Sequence, residues 1–314
     1  MRVMDKRNSA MLVVAMCSML CFVVHGVGLS YDFYDFSCPH LESFVRQGVA
    51  SLIFHDPTIP AALLRLMFHD CQVQGCDASI LLDSGDSEMG SSKNFGIRYR
   101  MVIGMLKSMV EAACPGRVSC ADILILAARD AVALAGGPNV RVLLGRRDSV
   151  RTSYGVADAS LPPASTGVDM MLSLFATKGM TLRESVAILG AHTLGVTHCS
   201  SILDRLKSQD SKDLFLKLKC PLGSLSSNLS FVQNDLTFLS FDNHYFRDAV
   251  EGRGVLRIDA DMALDQRTAK VMRQFAANQD YFFQTFSTAF LKLSAAGVLT
   301  GNEGIIRRSC NSAG

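Results

Sequence analysis

Eight cysteines, Cys38, Cys71, Cys76, Cys114, Cys120, Cys199, Cys220 and Cys310, lie beyond the first 28 positions of this 314-residue chain and restrict its fold more than any other feature. Cys17 and Cys21 belong to a different segment, in which Arg2, Lys6 and Arg7 precede an unbroken apolar stretch at 11–24 and then Gly26-Val27-Gly28. That order is the pattern of a secretory leader, expected over residues 1–28 and cut near 26–30. The apolar run is shorter than the roughly 20 residues a membrane span needs, and His25 with the glycines interrupts it, so no anchor is expected in the mature chain. An exported chain with an even set of cysteines is expected to close all of them into disulfides, in a pairing that spacing leaves open. Residues 29–314 show no repeat, low-complexity tract or linker and are long enough for two lobes around a large core. A net charge of +2 without a basic block argues against nucleic acid as a partner.

Most of the chain has helical spacing. Apolar periodicity predicts helices over 41–54, 59–68 with Pro60 in the first turn, 102–113, and 119–134 before Gly136-Gly137-Pro138. The box Thr181-Leu182-Arg183-Glu184 opens another, running to His192, and 241–250 and 269–293 complete the set. Strand signals are few and short, the best at 140–144 and 254–258. The class is mainly α.

Arg65 breaks the apolar run at 61–68, and His69 follows it directly. Arg65 and His69 stand one helical turn apart and share a face, and burying such groups without partners is costly, so a pocket is expected there. Asp70, Val73, Gly75, Asp77 and Ser79 follow directly, with carboxylates, a hydroxyl and carbonyl oxygens in one short loop. That is a hard-cation set of the calcium type. Cys71 and Cys76 could close the loop or bind zinc, but no second Cys-x-x-Cys or paired histidines accompany them. His192 is a second histidine in an apolar helical setting; a haem between the two would take one as axial ligand and leave the other free to act on a bound oxidant.

In order and spacing, four motifs resemble the secreted plant haem peroxidases known as class III: Arg65-Leu66-Met67-Phe68-His69-Asp70-Cys71, Val118-Ser119-Cys120-Ala121-Asp122-Ile123, Leu144-Gly145-Arg146-Arg147-Asp148 and Leu189-Gly190-Ala191-His192-Thr193-Leu194-Gly195. The likeness extends from Tyr34-Asp35-Phe36-Ser37-Cys38-Pro39 to Ile306-Arg307-Arg308-Ser309-Cys310. It implies a two-lobed fold with one haem b between distal and proximal helical lobes. His192 would be the axial iron ligand with Asp259 behind it, His69 the distal base, Arg65 the stabiliser of charge on the breaking O–O bond, and Phe68 part of the haem pocket. Asn94 would fix the His69 tautomer, with Glu88 in the same network. The pairing implied is Cys38–Cys114, Cys71–Cys76, Cys120–Cys310 and Cys199–Cys220. Calcium would occupy a distal site of Asp70, Val73, Gly75, Asp77 and Ser79 and a proximal site of Thr193, Asn234, Thr237, Ser240 and Asp242. Hydrogen peroxide and a small phenol, oxidised one electron at a time at a haem edge near Pro162, would be the substrates. The implied protein is an extracellular monomer of the plant apoplast or wall, able to meet wall polymers and to act in lignin or wall-phenol coupling or the oxidative stress response.

The chain also departs from the family pattern. Asn234 stands where an aspartate is usual, followed at once by Asp235, which a shift of register would bring into the site; Leu161-Pro162-Pro163-Ala164 replaces Leu-Pro-x-Pro; and Phe95-Gly96-Ile97-Arg98-Tyr99-Arg100 replaces the usual stretch after the asparagine. These changes bear on substrate preference and on one cation site, while Arg65, His69, Asn94 and His192 are all present. Trp is absent, which excludes a tryptophan radical relay. Asn228-Leu229-Ser230 is a glycosylation sequon. A catalytically silent wall- or calcium-binding relative and a haem-free disulfide protein are the competing readings. The complete distal set opposes the first and His192 the second. A hydrolase lacks its Gly-x-Ser-x-Gly elbow.

Overall fold

The computed structural model describes residues 28–207, 213–221 and 230–313; the expected leader up to residue 27 and Asn228 and Leu229 of the sequon lie outside them. Among the described residues there are thirteen α-helices and one two-stranded sheet. None of the helices is long and apolar enough to cross a membrane. The class is mainly α, consistent with the two-lobed peroxidase fold the resemblance implies.

The first lobe is built on α4 (Cys120–Leu134), whose residues Cys120 to Val132 are all buried. Against it pack α1 (Leu41–His55), α2 (Ile59–Gln72) and α3 (Arg100–Ala113). The start of α4 explains two of the sequence motifs in structural terms. Ser119 caps the helix by accepting the Asp122 N–H, and Asp148 accepts from the Cys120 and Ala121 N–H groups. Asp122 is fully buried, yet it takes hydrogen bonds from Tyr34 Oη at 2.8 Å, the Gly145 and Arg146 amides, and Arg146 Nη1 at 2.8 Å. A buried ion pair is tolerable only when its remaining donors and acceptors are met, and Arg146 completes its set on the Ser294 and Leu143 carbonyls.

After α5 (Tyr154–Ser160) and α6 (Val168–Ala176), the second lobe comprises α7 (Leu182–Leu189), the short α8 (Leu203–Lys207) and α9 (Leu214–Lys219), then α10 (His244–Val250), α11 (Arg257–Leu264), α12 (Gln266–Ala277) and α13 (Gln279–Ser294). Its centre is aromatic. Phe241, Phe246, Phe275, Phe282, Phe286 and Phe290 are each no more than 1% exposed and meet ring to ring, each burial contributing about 1.5–3 kcal/mol.

Four expectations need correction. The helix predicted over 269–293 is two, because Asn278 leaves the helical region and accepts the Tyr281 N–H, starting α13 afresh. The Asn243 amide meanwhile caps the end of α12 through the Phe275 and Ala276 carbonyls. The strand expected at 140–144 is only a bridge from Leu144 to Ser30, and 254–258 leads into α11 as irregular chain. The one sheet instead pairs β1 (Val196–His198) with β2 (Phe231–Gln233) antiparallel. Lastly, α7 stops at Leu189, and His192 sits in a 3₁₀ turn, Gly190–Thr193.

The four disulfides have the implied pairing: Cys38–Cys114, Cys71–Cys76, Cys120–Cys310 and Cys199–Cys220. The third ties the C-terminal tail to the start of α4, the helix that carries the first lobe.

Candidate active site

On α2, Arg65 Nε donates to His69 Nε2 at 3.2 Å, the contact expected of residues one turn apart. The opposite ring nitrogen, Nδ1, lies 2.6 Å from Asn94 Oδ1. Asn94 spends its own N–H donor on the Glu88 carbonyl at 2.8 Å, so the atom facing His69 is an acceptor and Nδ1 must carry the proton. The lone pair is therefore on Nε2, facing the guanidinium. Burial pushes the His69 imidazole down to about 3, helped by the Arg65 charge and opposed by the Asn94 bond. His69 is thus a neutral acceptor throughout the physiological range. Arg65 is itself lowered to about 10, chiefly by the surrounding protein and secondarily by Arg98, although its side chain stays open to solvent. A second anchor, Nη2 to the Phe95 carbonyl at 2.9 Å, was not foreseen from sequence.

Phe68 stands edge-on to both His69 and Phe175. Pro162 follows Leu161, whose carbonyl accepts from Lys93 Nζ at 2.6 Å, so the loop after α5 is held to the segment that carries Asn94. Glu88 joins the His69 network only through its backbone oxygen. Its carboxylate lies elsewhere, buried, with Oε2 making no hydrogen bond.

That carboxylate belongs to the acidic loop. Asp70, Asp77, Ser79 and Glu88 are all buried, and the Ser79 hydroxyl also lacks a partner. Burial raises Asp70 well above the usual carboxylate range, and the Asp77 and Glu88 charges add to it; burial likewise takes Glu88 up to about 7. The buried Arg307 guanidinium acts on Asp70 and Asp77, and Arg100 on Glu88, yet all three carboxylates stay raised. Among the described residues no three His, Cys, Asp or Glu side chains form a ready metal cage, so a cation here would also draw on oxygens of the backbone. The Val73 and Gly75 carbonyls each accept one loop N–H and keep a second lone pair. With the Ser79 hydroxyl they supply the mixed oxygen set that calcium takes, and the residues fit that ion.

In the second lobe, His192 Nδ1 lies 3.0 Å from Asp259 Oδ1. The same oxygen accepts from Tyr245 Oη at 2.8 Å, and Oδ2 accepts the Leu256 N–H at 3.0 Å. Burial, with the Asp259 charge behind it, raises the Tyr245 phenol well above its ordinary value, so it stays a donor. Tyr245 had no signal in the sequence. With Nδ1 committed, the Nε2 of His192 has no hydrogen bond to the described residues and is the nitrogen that would hold haem iron, with the Asp259 carboxylate behind the ring. Gly195, three residues on, lies so near α2 that a Cβ would come within 2.8 Å of the Ala61 methyl, which brings the two histidine segments against one another.

Beside His192, Thr193 Oγ1 donates to Asp235 Oδ2 at 2.6 Å and lies 3.4 Å from Asp242 Oδ1 and 3.5 Å from the Ser240 carbonyl. Thr237 bonds both carboxylates. Burial, together with the Asp242 charge, raises Asp235 to about 6. Asn234, expected in this group, is not part of it: its amide turns to Thr197 Oγ1 at 2.7 Å and the Leu194 carbonyl at 3.1 Å, and Asp235 stands in the cluster instead.

The family model described as Peroxidase matches residues 45–278. Peroxidase 29 of Arabidopsis thaliana is 53% identical over 300 residues, covering 90% of this chain and 88% of its own. Peroxidase 46 of the same plant is 37% identical, covering 97% of each, and Peroxidase 66 of Zea mays 38%, covering 90% and 89%. With this match added to the fold and to the two histidine networks, the chain belongs to the plant class III peroxidase family and is a hydrogen peroxide-dependent peroxidase.

Proposed function

We propose that this protein is an extracellular peroxidase that oxidises small phenols one electron at a time, with Arg65 and His69 activating the peroxide. Family membership implies haem and calcium generally, and relatives of this kind are generally secreted. When bound, haem supplies the iron and the store of oxidising equivalents. His192 Nε2 would hold that iron, with Asp259 drawing on the Nδ1 proton to make the ring a stronger donor. His69 Nε2 takes a proton from hydrogen peroxide and returns it to the departing oxygen, while Arg65 stabilises the charge that grows there. Asn94 keeps the His69 lone pair on the correct nitrogen. Phe68 shapes the pocket, and Pro162 borders the donor side. Calcium would be held distally by Asp70, Val73, Gly75, Asp77 and Ser79, with Glu88 adding charge, and proximally by Thr193, Thr237, Ser240 and Asp242 with Asp235. Coupling of wall phenols is the role that fits a secreted enzyme of this chemistry.

The observation carrying this reading is the chain Glu88 O, Asn94, His69, Arg65, which fixes a neutral base beside a cation. The test is the absorption spectrum of haem-reconstituted protein before and after one equivalent of hydrogen peroxide. A rapid spectral change in wild type that is slow in His69→Ala, with a weakened or displaced haem band in His192→Ala, is expected. No haem band, or a band indifferent to peroxide, would overturn the proposal.

A further inference from the structure

Residues 29–314 hold ten methionines, and the structure sorts them by exposure. Met67, Met171, Met180, Met262 and Met272 are buried, and Met89 is half-buried. Met101, Met105 and Met109 lie four residues apart along α3, so their side chains run in one row, and they are 76%, 56% and 49% exposed. The rest of that face is Gly104, Ser108 and Ala112, which carry no charge. The three charges of α3 are engaged elsewhere. Arg100 bonds the Leu81 carbonyl and Asp83, and the buried Lys107 bonds the Val118 carbonyl and Glu111.

The solvent face of a helix is ordinarily polar, and this one is not. Leucine in the same places would give an equally good helix and the same apolar surface. What methionine adds is a polarisable thioether sulfur. The opposite face of α3 packs through Val102, Ile103, Leu106 and Val110, so a change at the three sulfurs stays in water and leaves the helix seated on its neighbours.

We propose that Met101, Met105 and Met109 form a reversible oxidation site, at which hydrogen peroxide, the substrate of this enzyme, turns an apolar helix face into a polar one. Each sulfur gives an electron pair to one peroxide oxygen, and an S–O bond forms as the O–O bond breaks. The departing hydroxide takes the proton of the transferred oxygen and leaves as water. Sulfur loses two electrons, peroxide gains them, and no other reactant is needed. Exposure orders the three. Met109 reacts last, because its sulfur lies over Gly48 of α1, 3.6 Å from where a Cβ would stand. Met170 on α6 is 56% exposed as well, but its sulfur accepts the Thr166 hydroxyl at 3.9 Å, which occupies a lone pair and slows it. Attack on open sulfurs yields both sulfoxide epimers, each of which needs its own reductase.

The test is timed incubation of the haem-loaded protein in excess hydrogen peroxide, followed by tryptic mass mapping and by hydrophobic-interaction chromatography of the intact chain. The tryptic peptide 101–107 holds Met101 and Met105, and 108–117 holds Met109. Oxygen is expected in the order Met101, Met105, Met109, ahead of Met170 and at least about tenfold faster than at the buried methionines, which react only on local opening. Retention should fall as the three sulfurs fill and return in full only when the reductases of both epimers are supplied. A variant with Met101→Leu, Met105→Leu and Met109→Leu is expected to keep its retention through the same treatment. His69→Ala, in which peroxide reacts slowly at the haem, should be oxidised on α3 at the wild-type rate, as direct transfer from free peroxide requires. Oxygen arriving first at Met170 or at a buried methionine overturns the proposal. So does retention unmoved by complete oxidation of the three, or oxidation of α3 that slows in His69→Ala.

Discussion

His69 and His192 are two imidazoles that each give the Nδ1 proton to an oxygen, at 2.6 Å from Asn94 and 3.0 Å from Asp259. The difference lies in the acceptor. An amide oxygen fixes a tautomer and adds no charge, so His69 keeps an available lone pair on Nε2 and, in its buried place, stays unprotonated. A carboxylate fixes the tautomer and also pulls on the proton, making the ring a stronger electron donor. Asp259 is in turn moderated by Tyr245 and the Leu256 amide, which share its charge. On the proposed function, one side chain would thereby suit two tasks, moving protons in the first lobe and holding a metal in the second.

Deleting the base tests this contrast most severely. His69→Ala is expected to slow the reaction with hydrogen peroxide by about 10²–10⁴, read by rapid mixing, and to leave the resting haem band in place. Asp259→Asn should act on the other side, lowering haem retention by about 10–100-fold and raising the iron midpoint potential, because a neutral acceptor no longer strengthens the imidazole. Asn94→Asp makes the two networks alike. A carboxylate beside His69 favours its charged form, so the acid limb of the peroxide reaction, expected near pH 3 in wild type, moves to higher pH. The sign for stability follows from the same depression: the folded value lies below that of the unfolded chain, so the contribution of His69 is full above the ordinary histidine range. It is lost as pH falls through the native value of about 3. A pH–rate profile of the variant with an unmoved acid limb would show that the identity of the partner does not matter.

The two lobes also differ in how far their sequence discloses them. In the first, helix starts are written locally, in Pro60 of α2 and Ser119 of α4, and the polar residues of α2 break an apolar run and so announce themselves. Apart from the Thr181–Glu184 box that opens α7, the second is assembled from contacts distant in sequence. Asn278 divides a run whose periodicity is unbroken, because its cap is one side-chain bond that no apolar pattern records. The three-residue strands β1 and β2 are too short to display alternation, whereas the aliphatic run at 140–144 displays it without a partner strand beyond Ser30. Tyr245 is found only by following Asp259 in space. The disulfide pairing and the His69 network came from resemblance, which spacing alone could not have provided.

The smallest effect concerns the proximal cation cluster, where one residue of register separates Asn234 from Asp235. Position in the motif points to Asn234, yet its amide is used to tie β1 to the Leu194 carbonyl, and Asp235 reaches Thr193 and Thr237. A cation held there gains most from the carboxylate, which burial and the Asp242 charge have raised to about 6 and which therefore lacks a compensating charge. Asn234→Ala should cost only its hydrogen bonds, about 0.5–1.5 kcal/mol each, and leave the melting temperature as sensitive to a calcium chelator as in wild type. Asp235→Asn should reduce that sensitivity, the distal loop accounting for what remains. The reverse outcome, with chelator sensitivity lost in Asn234→Ala and intact in Asp235→Asn, would return the ligand role to Asn234 and show that cation binding draws the loop back by one residue.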